Sequence, residues 1–182
     1  ETRRTSRIVS NLLAFSRQSK MEPKRLNLNR LIEQTVFLNS NLLKMDGVKV
    51  ETKLDPDLPD LLGSEDQLQQ VFMNLVSNAS EAMGGGRGGV LTIETRHLLS
   101  EDRLQINFKD TGCGIPEENY PKLFEPFFTT KKKGKGVGLG LSVAYGIIQE
   151  HQGSIYVTSK VGQGTAFQVK LPLKSAIDRH HK

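Results

Sequence analysis

Residues 104–116 read Leu104-Gln105-Ile106-Asn107-Phe108-Lys109-Asp110-Thr111-Gly112-Cys113-Gly114-Ile115-Pro116, and they decide the fold class. Apolar residues at 104, 106 and 108 alternate with polar ones, the period of a strand that buries one face. The same parity turns Asp110 toward the core side. A carboxylate there is costly unless it is paired or given a ligand. The strand then breaks into a stretch, 111–136, with no strong periodicity beyond Tyr120, Leu123 and Phe124, where a short helix is expected. A loop of that length inside a compact domain is functional or mobile.

Upstream, Leu91 and Ile93 belong to a preceding strand, with His97 to Asp102 as the turn between the two. Ser64-Glu65-Asp66-Gln67 has the spacing of a capping box. It opens a long helix on Leu68, Val71, Phe72, Leu75, Ala79, Ala82 and Met83, which Gly84-Gly85-Gly86 stops. At about 100° per residue these positions form one arc, and Asn74 and Asn78 lie together along its edge. Amides at the rim of a buried face need partners. Val48, Val50, Thr52 and Leu54 alternate with charged residues as in a half-buried strand, followed by a loop over 55–59. A helix is predicted from Asn27 to about Met45 on Leu28, Leu31, Ile32, Thr35, Val36, Leu38 and Leu42. Another, over 3–19, carries one narrow stripe of Ile8, Leu12 and Phe15 and ends before Pro23. That stripe is either docked on the following domain or packed on another helix.

Downstream, Gly134-Lys135-Gly136-Val137-Gly138-Leu139-Gly140-Leu141 runs straight into a helical pattern of Leu141, Ala144, Tyr145 and Ile148. Two strands follow, over 155–159 and 165–171. In the last, Phe167, Val169 and Leu171 share a face, and Thr165 looks inward with them. The tail Arg179-His180-His181-Lys182 is expected to fray. The order is helix, helix, strand, helix, two strands, loop, helix, two strands. It predicts an α+β fold, a two-layer sandwich with a mixed, mostly antiparallel sheet and helices on one face. A pocket is expected where polar groups interrupt the apolar layer.

The 182 residues suit one medium domain with a short appendage. A composition of 36% hydrophobic and 25% charged residues excludes disordered, collagenous and repeat classes. No stretch approaches the roughly 18 apolar residues of a membrane span, and the charged start Glu1-Thr2-Arg3-Arg4 lacks the apolar core of a signal peptide. A cytoplasmic chain with no membrane contact of its own is expected, whether or not its parent is anchored. The missing initiator Met points to a piece of a longer protein. Cys113 is the single cysteine, which excludes an internal disulfide and fits a reducing compartment. The net charge is 25 − 20 = +5. A nucleic-acid footprint would gather such charge on one face or helix, whereas the dense cluster here, Lys131-Lys132-Lys133 with Lys135, lies among glycines. No nucleic-acid partner is expected.

Glycines at 136, 138 and 140 allow the backbone to approach a phosphate, and the helix that follows offers unpaired N–H groups and a positive dipole end. No strand leads into this run as a dinucleotide fingerprint requires, and no G-x-x-x-x-G-K-[ST] is present. Lysines 131, 132, 133 and 135 lie just upstream, where phosphate charge needs neutralising, and at least one is read as facing the ligand.

The ordered blocks are Asn74-x-x-x-Asn78, Asp110-x-Gly112-x-Gly114, Phe124-Glu125-Pro126-Phe127-Phe128, the glycine-rich run, and Gly162-Gln163-Gly164-Thr165. With them the chain resembles, over roughly residues 25–173, the ATP-binding catalytic domain of sensor histidine kinases, of the family shared with gyrase, Hsp90 and MutL. The resemblance implies that Asp110 accepts the adenine amino proton, that Thr165 supports the same ring, and that Asn78 is the Mg²⁺ ligand. One amide with phosphates and waters is the sparse coordination Mg²⁺ tolerates. It further implies nucleotide contacts from Asn74, Gly112, Gly114, Ile115, Phe128, Thr129, Thr130, Lys131, Lys135, Gly136, Val137, Gly138, Leu139, Gly140 and Leu141. Residues between Gly112 and Gly136 look like the mobile ATP lid, anchored by Phe124, Phe127 and Phe128, at least one of which is expected only to pack. Against these roles stand a backbone-bridging Asn78, an Asp110 paired with a structural Arg or Lys, and an incidental Cys113.

ATP-hydrolysing members carry a glutamate four residues before the Mg²⁺ asparagine, and this chain has Asn74 there, as histidine kinases commonly do. An amide cannot act as that general base, so weak intrinsic ATPase activity is expected. Residues 7–17 resemble the end of the second helix of the kinase dimerisation and phosphoacceptor bundle. None of the four histidines, His97, His151, His180 and His181, fits the phosphoacceptor, and His151 is expected to be structural. The resemblance therefore implies three parts: residues 1–22 as a helix remnant, 23–174 as the ATP-binding catalytic domain, and 175–182 as a flexible tail. It implies ATP and Mg²⁺ as cofactors. Its implied partners are the phosphoacceptor domain of the same protein, a response regulator receiver domain, and a second subunit in the full-length kinase. The alternatives are a hydrolysing ATPase or protein serine kinase, and a degenerate nucleotide-binding docking module.

Overall fold

The structure is a computed structural model and describes residues 23–84, 87–130 and 136–173. The expected N-terminal helix, the C-terminal tail and the lysine cluster lie outside the described residues. In chain order the elements are β1 (Lys24–Leu26), α1 (Leu28–Leu38), α2 (Ser40–Met45), β2 (Val48–Lys53), β3 (Leu61–Gly63), α3 (Glu65–Met83), β4 (Gly89–Leu98), β5 (Arg103–Asp110), α4 (Gly140–Glu150), β6 (Ser154–Lys160) and β7 (Gly164–Pro172). A five-stranded sheet has the order β2-β4-β5-β7-β6. Only β2 and β4 run parallel, and the other three pairings are antiparallel.

Parity does the work the sequence assigned to it. Leu91, Ile93, Leu104, Ile106, Phe108, Phe167, Val169 and Leu171 are buried on one face of the sheet. Helices α3 and α4 cover that face, with the Phe72 ring 5.5 Å from that of Phe108 and with Ala144, Ile147 and Ile148 buried beside it. Each such side chain contributes about 1.5–3 kcal/mol by leaving water.

Three expectations are corrected. The helix predicted from Asn27 to Met45 is two helices broken at Asn39, whose backbone leaves the helical range at φ −93° and ψ 3° and whose buried amide joins its own N–H on the Thr35 carbonyl, at 2.9 and 3.1 Å. The capping box at Ser64 does not form: the end of α4 crosses the start of α3 and supplies the partners instead. There the Ser64 N–H donates to His151 Nε2 at 3.1 Å, and the Gln67 amide donates to Glu150 at 3.0 Å. The turn predicted over His97–Asp102 is shorter. Strand β4 runs through His97 to Leu98, and the chain reverses over Leu99–Glu101 with Asp102 left-handed at φ 50°. The antiparallel pair β1-β3 was not expected from the sequence; each strand has three residues, too few for a period to register.

Candidate functional site

Asp110 ends β5 on the core side and is 4% exposed. Its Oδ1 accepts from the Gly112 N–H at 2.8 Å and from the Thr165 N–H at 3.2 Å. Among the described residues Asp110 forms no ion pair and its Oδ2 has no hydrogen-bond partner. Burial pushes the carboxyl above its ordinary pKa, and the two N–H donors pull it part of the way back.

Thr165 is equally buried, and its Oγ1 lies 2.8 Å from Ser159 Oγ on β6. Ser159 also receives the Ile115 N–H at 2.8 Å, and its main chain exchanges two hydrogen bonds with the Tyr120 hydroxyl. The loop after β5 is thereby strapped to the β6–β7 hairpin, with the Gly162 N–H donating to the Cys113 carbonyl at 2.8 Å. Gly114 sits at φ +73°, and a Cβ there would collide with the Lys160 carbonyl oxygen. Sequence reading missed Ser159 and the hydroxyl role of Tyr120, because these bonds run largely to main-chain atoms that no side-chain spacing reports.

Asn74 and Asn78 are half-buried on α3 as the periodicity requires. The Asn74 amide donates to the Gly140 carbonyl at 3.0 Å, tying α3 to the first residue of α4. Asn78 bridges no backbone groups: among the described residues its amide has no hydrogen-bond partner. Of the spaced glycines, Gly138 is demanded by the protein itself, at φ +72° with a Cβ 2.5 Å from the Phe127 main chain. Gly140 is not, since the nearest atom to an added Cβ is Asn74 Oδ1 at 3.5 Å. That distance is an ordinary contact, whereas a Cβ at Gly112, in the loop after β5, would fall 2.8 Å from Ala82 on α3.

Along the lid stretch, Glu117–Lys122 forms a short 3-10 helix where one was expected. Phe124 packs on Tyr145 of α4 with ring centroids 5.1 Å apart, so it is the phenylalanine that serves packing. Phe127 does not anchor by its ring, which is 63% exposed; its left-handed backbone, φ 67°, makes the contact with Gly138 instead. Phe128, Val137 and Leu141 are half-buried, Leu139 is buried, and Thr129, Thr130 and Gly136 are exposed. Lys131 and Lys135 lie outside the described residues. Cys113 is exposed and unbridged.

His151 is buried, donating from Nδ1 to the Ile147 carbonyl and accepting at Nε2 from Ser64. Desolvation lowers its pKa, and an Nε2 that accepts the Ser64 N–H carries no proton in this arrangement. Among the described residues no group of three or more His, Cys, Asp or Glu could hold a metal, and no helix is long and apolar enough to cross a membrane. Grooves of about 280 Å³ on the open sheet face and about 530 Å³ between α1, α2 and β2 contain none of the residues of this constellation.

A mostly antiparallel sheet covered on one face by α3 and α4 is the α+β sandwich that the sequence predicts. The sequence matches the family of histidine kinase-, DNA gyrase B-, and HSP90-like ATPases over residues 63–175, and the chain belongs to that family. It is 39% identical, over 93% of its length, to the sensor kinase CckA of Brucella abortus, of which it spans 19%. The catalytic domain of the histidine kinase ThkA superimposes with a TM-score of 0.73 at 31% identity, covering 84% of this chain and 96% of that one. ThkA in complex with the response regulator protein TrrA gives a TM-score of 0.76 at 28% identity over 95% of this chain and 49% of that one. The chain spans about a fifth to two fifths of the length of the curated relatives it matches.

Proposed function

We propose that this chain is the catalytic part of a two-component sensor histidine kinase, binding ATP with Mg²⁺ and passing the γ-phosphoryl group to a histidine on a phosphoacceptor domain. Residues 23–174 form the ATP-binding domain and 1–22 the end of the phosphoacceptor helix. Asp110 Oδ2 receives the adenine amino group, Thr165 lies beside it, and Gly136 to Leu141 with Lys131 and Lys135 take the phosphates at the start of α4. The unpartnered Asn78 amide fits a cation that needs one protein oxygen and the phosphates. When bound, Mg²⁺ supplies charge neutralisation at the transferring group. The protein's share of catalysis is positioning and electrostatics. Partners are the phosphoacceptor domain, a second subunit and a receiver domain, in a cytoplasmic setting.

The observation that carries the reading is Asn74. It occupies the place of the hydrolytic glutamate, and its amide is spent on the Gly140 carbonyl, so no residue there can activate water. His151, bonded at both nitrogens, is not available as an acceptor. Incubation with γ-labelled ATP and a supplied phosphoacceptor domain should put acid-labile phosphate on that domain and none on this chain. Phosphate release at the turnover of a dedicated ATPase, abolished by Asn78→Ala, would sink the kinase assignment.

A further inference from the structure

Strand β2 is an edge of the five-stranded sheet, and among the described residues no strand pairs with its outer side. The Gly47 carbonyl accepts from the Gly89 N–H at 3.3 Å, so the odd-numbered residues of β2 turn their main-chain groups toward β4. Val48, Val50 and Thr52 therefore turn theirs outward, and among the described residues none of the three has a main-chain partner in a loop or cap. The strand has no proline and an unbroken register, and only Lys49, Glu51 and Lys53, on the open face of the sheet, blunt its edge. On the helix side an apolar groove of about 530 Å³ between α1, α2 and β2 is lined by Val36, Phe37, Leu43, Val48 and Val50, with Phe37 77% exposed. Open main-chain groups beside an apolar flank form a template for another strand.

Charge decides which strand fits. An antiparallel partner sets outward residues opposite outward residues, which leaves few registers. For a second copy of β2, a register centred on Lys49 or on Glu51 places like charges face to face. One centred on Thr52 puts Val48 opposite Pro56, which has no N–H to give. With Val50 opposite Val50, Val48 faces Thr52, every outward N–H and C=O of the three residues is paired, and Lys49 faces Glu51 on both sides of the axis. These charged pairs are the non-hydrogen-bonded ones, whose side chains stand closest. Lys49 and Glu51 form an ion pair at 2.8 Å within the single strand, with side chains 72% and 44% exposed, so pairing only exchanges their partners. The two-fold axis through Val50 is perpendicular to the sheet, so both helix layers lie on one side and the two apolar grooves close on each other. We propose that β2 is a self-pairing edge that joins two copies of this domain into one continuous sheet with Val50 on the two-fold axis. Strand β4 separates β2 from β5, so the pairing does not reach Asp110.

The test is sedimentation velocity of the whole chain over a concentration series, repeated with Glu51→Lys, with Lys49→Glu, with those two variants mixed, and with the double swap Lys49→Glu/Glu51→Lys. The wild type should shift from monomer to dimer as concentration rises. Each single substitution turns both charged pairs into like charges and should weaken self-association roughly tenfold or more. Mixed, the two single variants should associate with each other, and the double swap should self-associate as the wild type does. Unchanged far-UV circular dichroism shows that the variants, altered only at exposed side chains, are folded. A chain that stays monomeric at every concentration overturns the inference. A dimer indifferent to the single substitutions is held by another surface and overturns it too, as does an association that neither mixing nor the double swap restores.

Discussion

Replacing Asp110 by asparagine separates the binding role of this side chain from its place in the fold. Two N–H groups, from Gly112 and Thr165, point at Oδ1, so the variant's amide oxygen must take that position. The amide nitrogen then stands where Oδ2 stood, and a donor faces the amino group of the base. A hydrogen bond to a charged acceptor contributes about 1.5–3 kcal/mol, and about 1.4 kcal/mol is a decade in Kd. Affinity for ADP should therefore fall roughly ten- to a hundredfold by calorimetric titration. The fold should not suffer. The folded pKa of Asp110 is raised, so its contribution to stability is present below its unfolded pKa and lost as pH rises through the folded one; at neutral pH the buried charge is a net cost that asparagine removes. A melting temperature without nucleotide within a few degrees of wild type is expected. Binding has the opposite pH dependence, because the open oxygen must be unprotonated, and affinity should weaken as pH falls through that raised pKa. An Asp110→Asn chain that binds ADP within twofold of wild type would refute the acceptor role.

Asn78→Ala should abolish the difference between ADP affinities measured with and without Mg²⁺, while changing stability by less than about 0.5 kcal/mol, since its amide has no hydrogen-bond partner among the described residues. Gly140→Ala should be tolerated by the fold, because the added Cβ makes only ordinary contacts with Asn74 from 3.5 Å, yet weaken nucleotide binding by adding a methyl group at the proposed phosphate site; Gly138→Ala should lower the melting temperature outright, from a strained φ and a 2.5 Å clash. A Gly140→Ala chain with wild-type nucleotide affinity would remove the phosphate from that position. His151, whose pKa is lowered by burial, stabilises the fold in full above its ordinary 6.5 and loses that contribution as pH falls from there through the folded value. Urea unfolding across that window should show the loss, and His151→Ala should flatten it while costing about 1–3 kcal/mol for the orphaned Ser64 N–H.

Alternation in 104–110 and 165–171, and the glycine-bounded helix before them, were enough to predict the sandwich, the inward Asp110 and Thr165, and the shared edge of Asn74 and Asn78. Those features are local: parity and the helical turn act within a single element, so the residues carry them in order along the chain. The division at Asn39, the unformed cap at Ser64, the backbone role of Phe127 and the Ser159 junction were decided by tertiary structure. The cap and the junction depend on a polar group meeting a partner that is not its neighbour along the chain, as when His151 reaches Ser64 across 87 residues. A buried donor takes whichever acceptor packing brings within reach, and packing is set only once the layers close.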